Sequence, residues 1–185
     1  ADHRPENNDI PWARQPERKI TIEHIRYVLS GHYQGTPYDP YGKRGTHETR
    51  TMYRPIGINR QSELSVMEIR PDKPAAYAAL QWISFGSNPF NAIEPYYTNV
   101  DSTPAYLEST TTRVTTENHY WENRVIAALA DEHYADNQQT IEAYQIKAGA
   151  EGHANVRLTD AKIEADKSLA GKLDSTDAVE VHRVL

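Results

Sequence analysis

The spacing of apolar residues predicts a short helix near the start of the chain. Thr21 can cap a helix over residues 22–30, and Gly31 lies just past its end. The apolar positions that recur at helical spacing are Ile22, Ile25, Val28 and Leu29. The segment before it, residues 1–19, is polar and shows no sustained periodicity, so we expect it to be extended.

Three runs in the middle of the chain have the length and the β-branched and aromatic content of strands. They cover residues 50–58, 63–70 and 78–86, and residues 59–62 predict a tight turn. We therefore expect an antiparallel meander. Large apolar side chains on both sides of the second and third runs indicate a sheet that is covered on both faces. Pro55 cannot donate a ladder hydrogen bond, so the first run is expected at an edge or with a bulge.

The pattern becomes helical again after residue 116. It predicts a helix over 117–134 with Glu117 and Glu132 on its solvent side. We expect an apolar stripe to face the sheet, formed by Trp121, Val125, Ala128 and Leu129. A further helix is predicted over 138–149, with an end near Gly149 and Gly152.

The predicted fold class is α+β, in one fragment that covers residues 1–185. Residues 31–49 are rich in Gly and Pro and predict a long ordered loop, which in a compact domain is often functional. Weak periodicity predicts that residues 153–185 are helical. The expected segments are an extended part at 1–19, a helix and loop at 20–49, a sheet and loop at 50–100, and a helical region at 101–185.

Composition narrows the class of protein. The 185 residues have a net charge of −6, and the basic residues are scattered, which argues against a nucleic-acid surface. We find no run of about 18 apolar residues, so the sequence predicts no membrane partner, and a cytoplasmic location is expected. The chain contains no cysteine, which excludes disulfides and thiolate metal sites within it.

Several unusual segments occur in an order that resembles the cysteine dipeptidases of the N-terminal-nucleophile hydrolase superfamily, typified by dipeptidase A. They are HYQGTPYDPY at 32–41, YRPIGINRQSELSVMEIRP at 53–71, LQWISFGSNPFNAIEPYYTNV at 80–100, TPAYL at 103–107 and HYWENRVIAALAD at 119–131. The resemblance is specific through about Asp136 and weak afterwards. It implies a hydrolase with a four-layer αββα sandwich and an N-terminal cysteine nucleophile.

Because no cysteine is present, the resemblance implies that this chain is the C-terminal portion of a longer dipeptidase. The expected partners are a dipeptide substrate, the missing N-terminal portion and, as one option, further copies of the protein. No catalytic residue is expected in this chain, which should be inactive by itself, and no cofactor is expected. The alternative is a non-catalytic module whose Tyr-rich loop and Trp82 bind a peptide or a sugar.

Four residues are candidate substrate contacts. Arg54 offers a planar fork of donors for a substrate carboxylate, although Arg50 is an alternative for the same role. Asn88 and Asn91 follow the third strand-like run, in a loop where side-chain amides can bind a peptide carbonyl or terminal carboxylate. Trp82 can wall a pocket for a substrate side chain, but a tryptophan in a strand is more often a core residue.

The eight histidines raise the question of a metal. His119 and Glu122 are spaced to share one face of a helix, but no further ligands complete a site, so we expect no metal. A serine hydrolase is also disfavoured, because Ser87 lacks the second flanking glycine of a nucleophile elbow.

Overall fold

The structure is a computed structural model that describes residues 6–100, 103 and 105–171. Its helices are α1 (Ile22–Leu29), α2 (His47–Arg50) and α3 (His119–Ala165), followed by a 3-10 helix at Lys167–Gly171. Its strands are β1 (Glu63–Ile69), β2 (Ala79–Phe85) and β3 (Glu94–Tyr97), which form one antiparallel sheet in the order β1-β2-β3. The α+β class is confirmed, and so is a three-stranded antiparallel meander, of which the runs 63–70 and 78–86 were predicted.

Helix α1 forms where the sequence predicts it. The Thr21 hydroxyl accepts from the amide of His24, whose ring is within hydrogen-bond distance of the Thr21 amide, so the first turn has a reciprocal cap. The Ser30 amide donates to the Arg26 carbonyl at 2.8 Å and ends the helix. Only Ile22 of this helix is fully buried, so α1 packs lightly on the rest of the chain.

The predicted strand over 50–58 is wrong. Thr46 caps the single turn of α2, through reciprocal bonds with Thr49, and residues 51–58 are turns and loop. Gly57 explains part of the difference, because its amide donates to the Gly31 carbonyl at 2.9 Å. A Cβ at position 57 would lie 2.3 Å from the Ser30 carbonyl oxygen, so the loop presses against the end of α1.

The third strand of the sheet is β3, which the sequence did not predict. It has only four residues and contains Pro95, so its periodicity is too short to read. In register, Trp82 of β2 lies opposite Val66 of β1 and Pro95 of β3. The short strand therefore completes the sheet at the edge nearest α3.

The two faces of the sheet are covered differently. The first face packs on the second half of α3, where Val156 and Ile163 join a core. The strand residues of that core are Leu64, Leu80, Trp82 and Tyr97. On the second face, Met67 is 60% exposed and Ile69 is 77% exposed. Among the described residues there is one sheet with one face partly open, rather than a closed two-sheet sandwich.

Helix α3 is longer than expected. It runs for 47 residues, with non-helical backbone angles at His133 (φ −122°, ψ 20°), where two helical halves meet. The predicted end near Gly149 and Gly152 is wrong, because both glycines lie inside the helix. At position 152 a Cβ would lie 2.8 Å from Cδ of Pro95, so this glycine allows the helix to approach β3 closely.

The predicted apolar stripe on the first half of α3 is also wrong. Leu129 is 63% exposed, whereas Asn123, Ala127, Ala130 and Tyr134 are buried. Polar side chains take up part of the buried side, so hydrophobicity alone selected the wrong face. In the second half, Ile141, Ala148, Val156 and Ile163 are buried, and Tyr144 is partly buried.

An ion cluster fastens the second half of α3 to the sheet. Arg70 donates to Asp160 at 2.6 Å, and the Tyr97 hydroxyl donates to the other oxygen of the same carboxylate at 2.7 Å. Lys73 lies 3.4 Å from Asp160 and 2.8 Å from Glu164. The carboxylate of Asp160 is buried, but each of its oxygens has a partner, which is the condition under which a buried charge is tolerated.

Candidate active site

The connection between β2 and β3, residues 86–93, packs against α3. Phe90 is fully buried against Ala127, Ala130 and Tyr134 of the helix. Gly86 is the first residue of the loop and has a φ of +73°, and a Cβ there would lie 2.8 Å from the side-chain nitrogen Nδ2 of Asn91. Glycine is therefore needed at the point where the chain leaves the sheet.

Asn88 and Asn91, both predicted substrate contacts, are brought together in this loop. The side-chain amide of Asn88 donates to the Leu29 carbonyl at 2.9 Å. That of Asn91 donates to the carbonyls of Phe85 at 2.8 Å and Asn123 at 3.2 Å. Both side chains are buried and hold backbone in place, and their Oδ1 atoms have no hydrogen-bond partner among the described residues. Their contact with a substrate stays a prediction.

Trp82 lies in the core rather than at an open pocket. Its side chain is 1% exposed, its Nε1 donates to Glu68 at 2.7 Å, and its ring lies 4.6 Å from that of His153. Ser87 is also buried, and its hydroxyl donates to the carbonyl of Asn59. The structure places these side chains at contacts that stabilise the fold.

The two candidate arginines have different surroundings. Arg50 donates through Nη1 to the Gly42 carbonyl at 3.0 Å, which ties its guanidinium to the loop before α2. Arg54 is exposed on the loop after α2, and no residue that the structure describes forms a hydrogen bond or ion pair with it. Of the two guanidinium groups, that of Arg54 is the one with its donors available to a ligand.

A cluster of acidic and basic side chains, of which Glu94 and His119 are buried, lies beside this loop. Glu94 of β3 is 4% exposed and lies 3.1 Å from Nε2 of His119, the first residue of α3. The Tyr96 hydroxyl donates to the same Glu94 oxygen at 2.8 Å. Next to them, the hydroxyl of Tyr106 donates to Glu122. We call Glu94, Tyr96, Tyr106, His119 and Glu122 the acid–base cluster.

Burial and mutual repulsion shift the proton equilibria in this cluster. Burial, followed by the nearby charge of Glu94, raises the pKa of the Glu122 carboxyl. The same two causes hold the pKa of the Tyr96 hydroxyl well above its usual value, with a further contribution from its hydrogen bond to Glu94. Two carboxylates that share a poorly hydrated site favour a bound proton or a cationic partner.

A cavity of about 260 Å³ opens next to the cluster. Its wall includes His119, whose ring meets the edge of Phe85 at a centroid distance of 5.4 Å. Leu107, Thr110 and Tyr120 complete the lining. The cavity is therefore mostly apolar, with one imidazole held by a carboxylate, an arrangement that can bind a small organic group and exchange a proton with it.

The sequence contained a partial signal for this cluster. His119 and Glu122 were noted because their spacing places them on one helical face, but each pairs with a different residue, Glu94 or Tyr106. Within the described residues, no group of three or more histidine, aspartate or glutamate side chains is arranged to hold a metal. Glu94 was not singled out in the sequence, because its partner His119 lies on a distant part of the chain.

Comparison with known proteins decides the family. The model of peptidase family C69 matches residues 1–147. The chain belongs to peptidase family C69. The C69 match covers the whole sheet, the 86–93 loop and every member of the acid–base cluster, and it ends within the second half of α3.

Individual relatives agree with the family match. The chain is 63% identical over 163 residues to a protein named "Dipeptidase" from Bifidobacterium longum, covering 88% of this chain and 31% of the relative. It is 45% identical over 165 residues to "Probable dipeptidase A" of Streptococcus pyogenes, covering 89% and 35%. It is 40% identical over 168 residues to "Dipeptidase A" of Lactobacillus helveticus, covering 91% and 35%. The chain thus spans about a third of the length of these C69 relatives.

In the part of this C69 chain that the structure describes, no helix is both long enough and apolar enough to span a membrane. Although α3 has 47 residues, charged and polar side chains are spread along it.

Proposed function

We propose that this chain is the C-terminal portion of a longer cysteine dipeptidase, which hydrolyses dipeptides by acyl transfer to a thiolate. The observation that carries the proposal is the C69 match over residues 1–147 in a chain without any cysteine. A thiolate nucleophile must then lie in another part of the polypeptide. By itself the 185-residue chain is inactive in this proposal, and a cytoplasmic location stays a prediction.

The open face of the sheet supports an αββα sandwich in the longer protein. Met67 and Ile69 leave apolar surface on the face opposite to the second half of α3, where a second sheet can pack. In register, Glu94 pairs with Ile83 and Tyr96 with Gln81, so the two β3 members of the acid–base cluster belong to that same face. The cluster and its cavity therefore lie on the side where the second sheet would contribute a nucleophile.

Arg54, Asn88, Asn91 and Trp82 are the proposed substrate-binding residues of this portion. Arg54 is proposed to bind the carboxylate of the dipeptide, because its exposed guanidinium has no partner among the described residues. Asn88 and Asn91 fix the loop that carries them, and Trp82 supports the sheet beneath it. Their contribution to binding is therefore expected to depend on the intact longer protein.

A chimera tests this proposal. The segment of the Bifidobacterium longum dipeptidase that aligns with this chain is replaced by the present sequence, and amino-acid release is measured on a panel of dipeptides. We expect activity that a thiol reagent abolishes, and no activity from the 185-residue chain alone. Steady hydrolysis by the isolated chain, unaffected by thiol reagents, would contradict the cysteine mechanism. A folded chimera without activity would favour the non-catalytic binding module.

The same chimera tests Arg54. Lysine at this position keeps the charge but loses the bidentate geometry of the guanidinium, so Arg54→Lys should raise the barrier for the specificity constant kcat/KM by roughly 2–4 kcal/mol. Arg60→Lys is a matched control, because Arg60 is also exposed on a nearby loop. Kinetics within a factor of about two of the parent chimera would assign Arg54 to the protein surface.

A further inference from the structure

A second cavity lies between α1 and the second half of α3. Its volume is about 300 Å³. Arg26 of α1 and Glu142 of α3 contribute a positive and a negative group to its lining. Gln145, Ile141 and Tyr134 of α3 also line it. All the residues that line this cavity belong to the present chain.

The guanidinium N–H groups of Arg26 are available to a ligand. Its side chain is half-buried, yet its guanidinium forms no hydrogen bond or ion pair with any residue that the structure describes. Burial lowers the pKa of Arg26, and the charges of Glu23 and Glu142 partly oppose that effect. A guanidinium carries five N–H donors in a planar fork that matches a carboxylate. A half-buried one without a protein partner is therefore suited to bind an anion.

Glu142 supplies the opposite charge. Its carboxylate accepts a hydrogen bond from Gln138 at 2.8 Å, and it interacts electrostatically with Arg26. The two groups do not form an ion pair within 4.0 Å, although both line the same cavity. A cavity lined by a cation and an anion that do not contact each other is complementary to a small ligand that carries both charges.

The remaining polar lining is held in a fixed orientation. The Gln145 amide nitrogen donates to the carbonyls of Pro89 at 3.0 Å and Asn91 at 3.1 Å, which leaves its Oε1 as an acceptor. His32 is buried with Nδ1 at 2.9 Å from Asp39, and its Nε2 forms no hydrogen bond with the described residues. Residues fixed in this way cost little entropy when a ligand binds.

We propose that this cavity binds a free amino acid with an apolar side chain. Arg26 binds the α-carboxylate, Glu142 binds the α-ammonium group, and the side chain packs on Ile141 and Tyr134. The volume is at the lower end of the range for ligand pockets, which suits one amino acid better than a longer peptide. The inference goes beyond the proposed dipeptidase function and does not rest on it.

Three ligands test the charge requirement on the wild-type 185-residue chain. L-leucine carries both charges, L-leucinamide lacks the carboxylate, and N-acetyl-L-leucine lacks the ammonium group. We expect leucine to perturb the NMR signals of residues that line the cavity at concentrations up to roughly 10 mM, and each analogue to bind at least about tenfold more weakly. Absence of leucine binding, or equal binding of all three ligands, overturns the proposal.

Variants then assign the charges to residues. Arg26→Met should weaken leucine binding at least about tenfold while leaving leucinamide binding nearly unchanged, because leucinamide has no carboxylate to lose. Glu142→Gln should weaken the binding of leucine and leave the binding of N-acetyl-L-leucine nearly unchanged, because the latter has no ammonium group. Arg157→Met is the matched control, since Arg157 is exposed elsewhere on α3 and does not line the cavity. Loss of binding in the control equal to that in Arg26→Met would show a general charge effect and overturn the assignment.

Discussion

The two halves of α3 pack on different kinds of surface. The second half covers one face of the sheet with Val156 and Ile163, against apolar side chains such as Leu80 and Trp82. The first half packs on the 86–93 loop, where the Asn123 carbonyl accepts a hydrogen bond from Asn91 and Phe90 contacts Ala127. At its start, His119 pairs with Glu94 of β3. The larger apolar core therefore lies under the second half, whereas specific polar contacts make up a larger share of the packing of the first half.

This difference explains which half the sequence could predict. An apolar contact needs only the right residue types at helical spacing, so it leaves a periodic signal. A polar contact needs specific partners from distant parts of the chain, which leave no period. The comparison can be tested by removing one contact from each half and measuring the free energy of unfolding.

The largest expected effect concerns the apolar core under the second half of α3, to which Trp82 of β2 belongs. Trp82→Ala removes a side chain that is 1% exposed, and it should lower the free energy of unfolding by about 3–5 kcal/mol. Urea unfolding followed by circular dichroism measures the change. Trp12→Ala is the matched control, because Trp12 is fully exposed and should change stability by less than about 0.5 kcal/mol. Similar losses in both variants would contradict the described core.

A smaller effect is expected in the polar half. Asn91→Ala leaves the carbonyls of Phe85 and Asn123 without their donor, which should cost about 1–3 kcal/mol. Asn137 is a suitable control on α3, since its amide makes only an exposed bond to the His133 carbonyl. If Asn91→Ala were as mild as Asn137→Ala, the polar half would be held by shape rather than by hydrogen bonds.

Two glycines within the second half of α3 provide a paired test of close packing. Gly152→Ala places a methyl group 2.8 Å from the ring of Pro95, so it should destabilise the protein by about 1 kcal/mol in spite of better helix propensity. Gly149→Ala meets nothing within 4 Å and should stabilise it by up to about 1 kcal/mol. The same urea experiment measures the change in the free energy of unfolding for both variants. If both changes had the same sign, the close contact between α3 and β3 would be refuted.

The smallest effect concerns pH and Glu122. Its pKa is raised above the usual 4.5 by burial and by Glu94, so the folded state binds a proton more tightly than the unfolded state. Its contribution to stability is therefore present at low pH and lost as pH rises through the raised pKa. Glu122→Gln should make the protein relatively more stable at pH 7 than at pH 4. Urea unfolding at several pH values measures the difference in the free energy of unfolding between the variant and the parent chain. If the gain in stability of the variant grew toward low pH, the raised pKa of Glu122 would be contradicted.

The sequence correctly predicted those helices and strands whose structure is determined by residues close to one another in the chain. Helix α1 has its cap and its apolar period within ten residues, and strands β1 and β2 have clear composition, so all three form where expected. The run over 50–58 had strand composition, but Thr46 and the packing of Gly57 on the end of α1 determine its structure. Tertiary contacts overrode propensity there.

The candidate site was less predictable than the fold. The loop with Asn88 and Asn91 was correctly located after β2, but which way their amides point depends on Leu29 and Asn123, far away in sequence. Glu94 could not be recognised, because its partner His119 is 25 residues further along the chain. Such pairs become visible only when the chain is folded.

The kink at His133 also determines how α3 responds to thermal fluctuation. Since the backbone angles of His133 are not helical, we expect the helical hydrogen bonds next to it to be weaker than those in the rest of α3. We expect amide hydrogens just after His133 to exchange with solvent through brief local opening, while those near Val156, buried against the sheet, exchange only when the whole domain unfolds. We therefore expect the two halves of α3 to open in separate steps, although the helix is continuous.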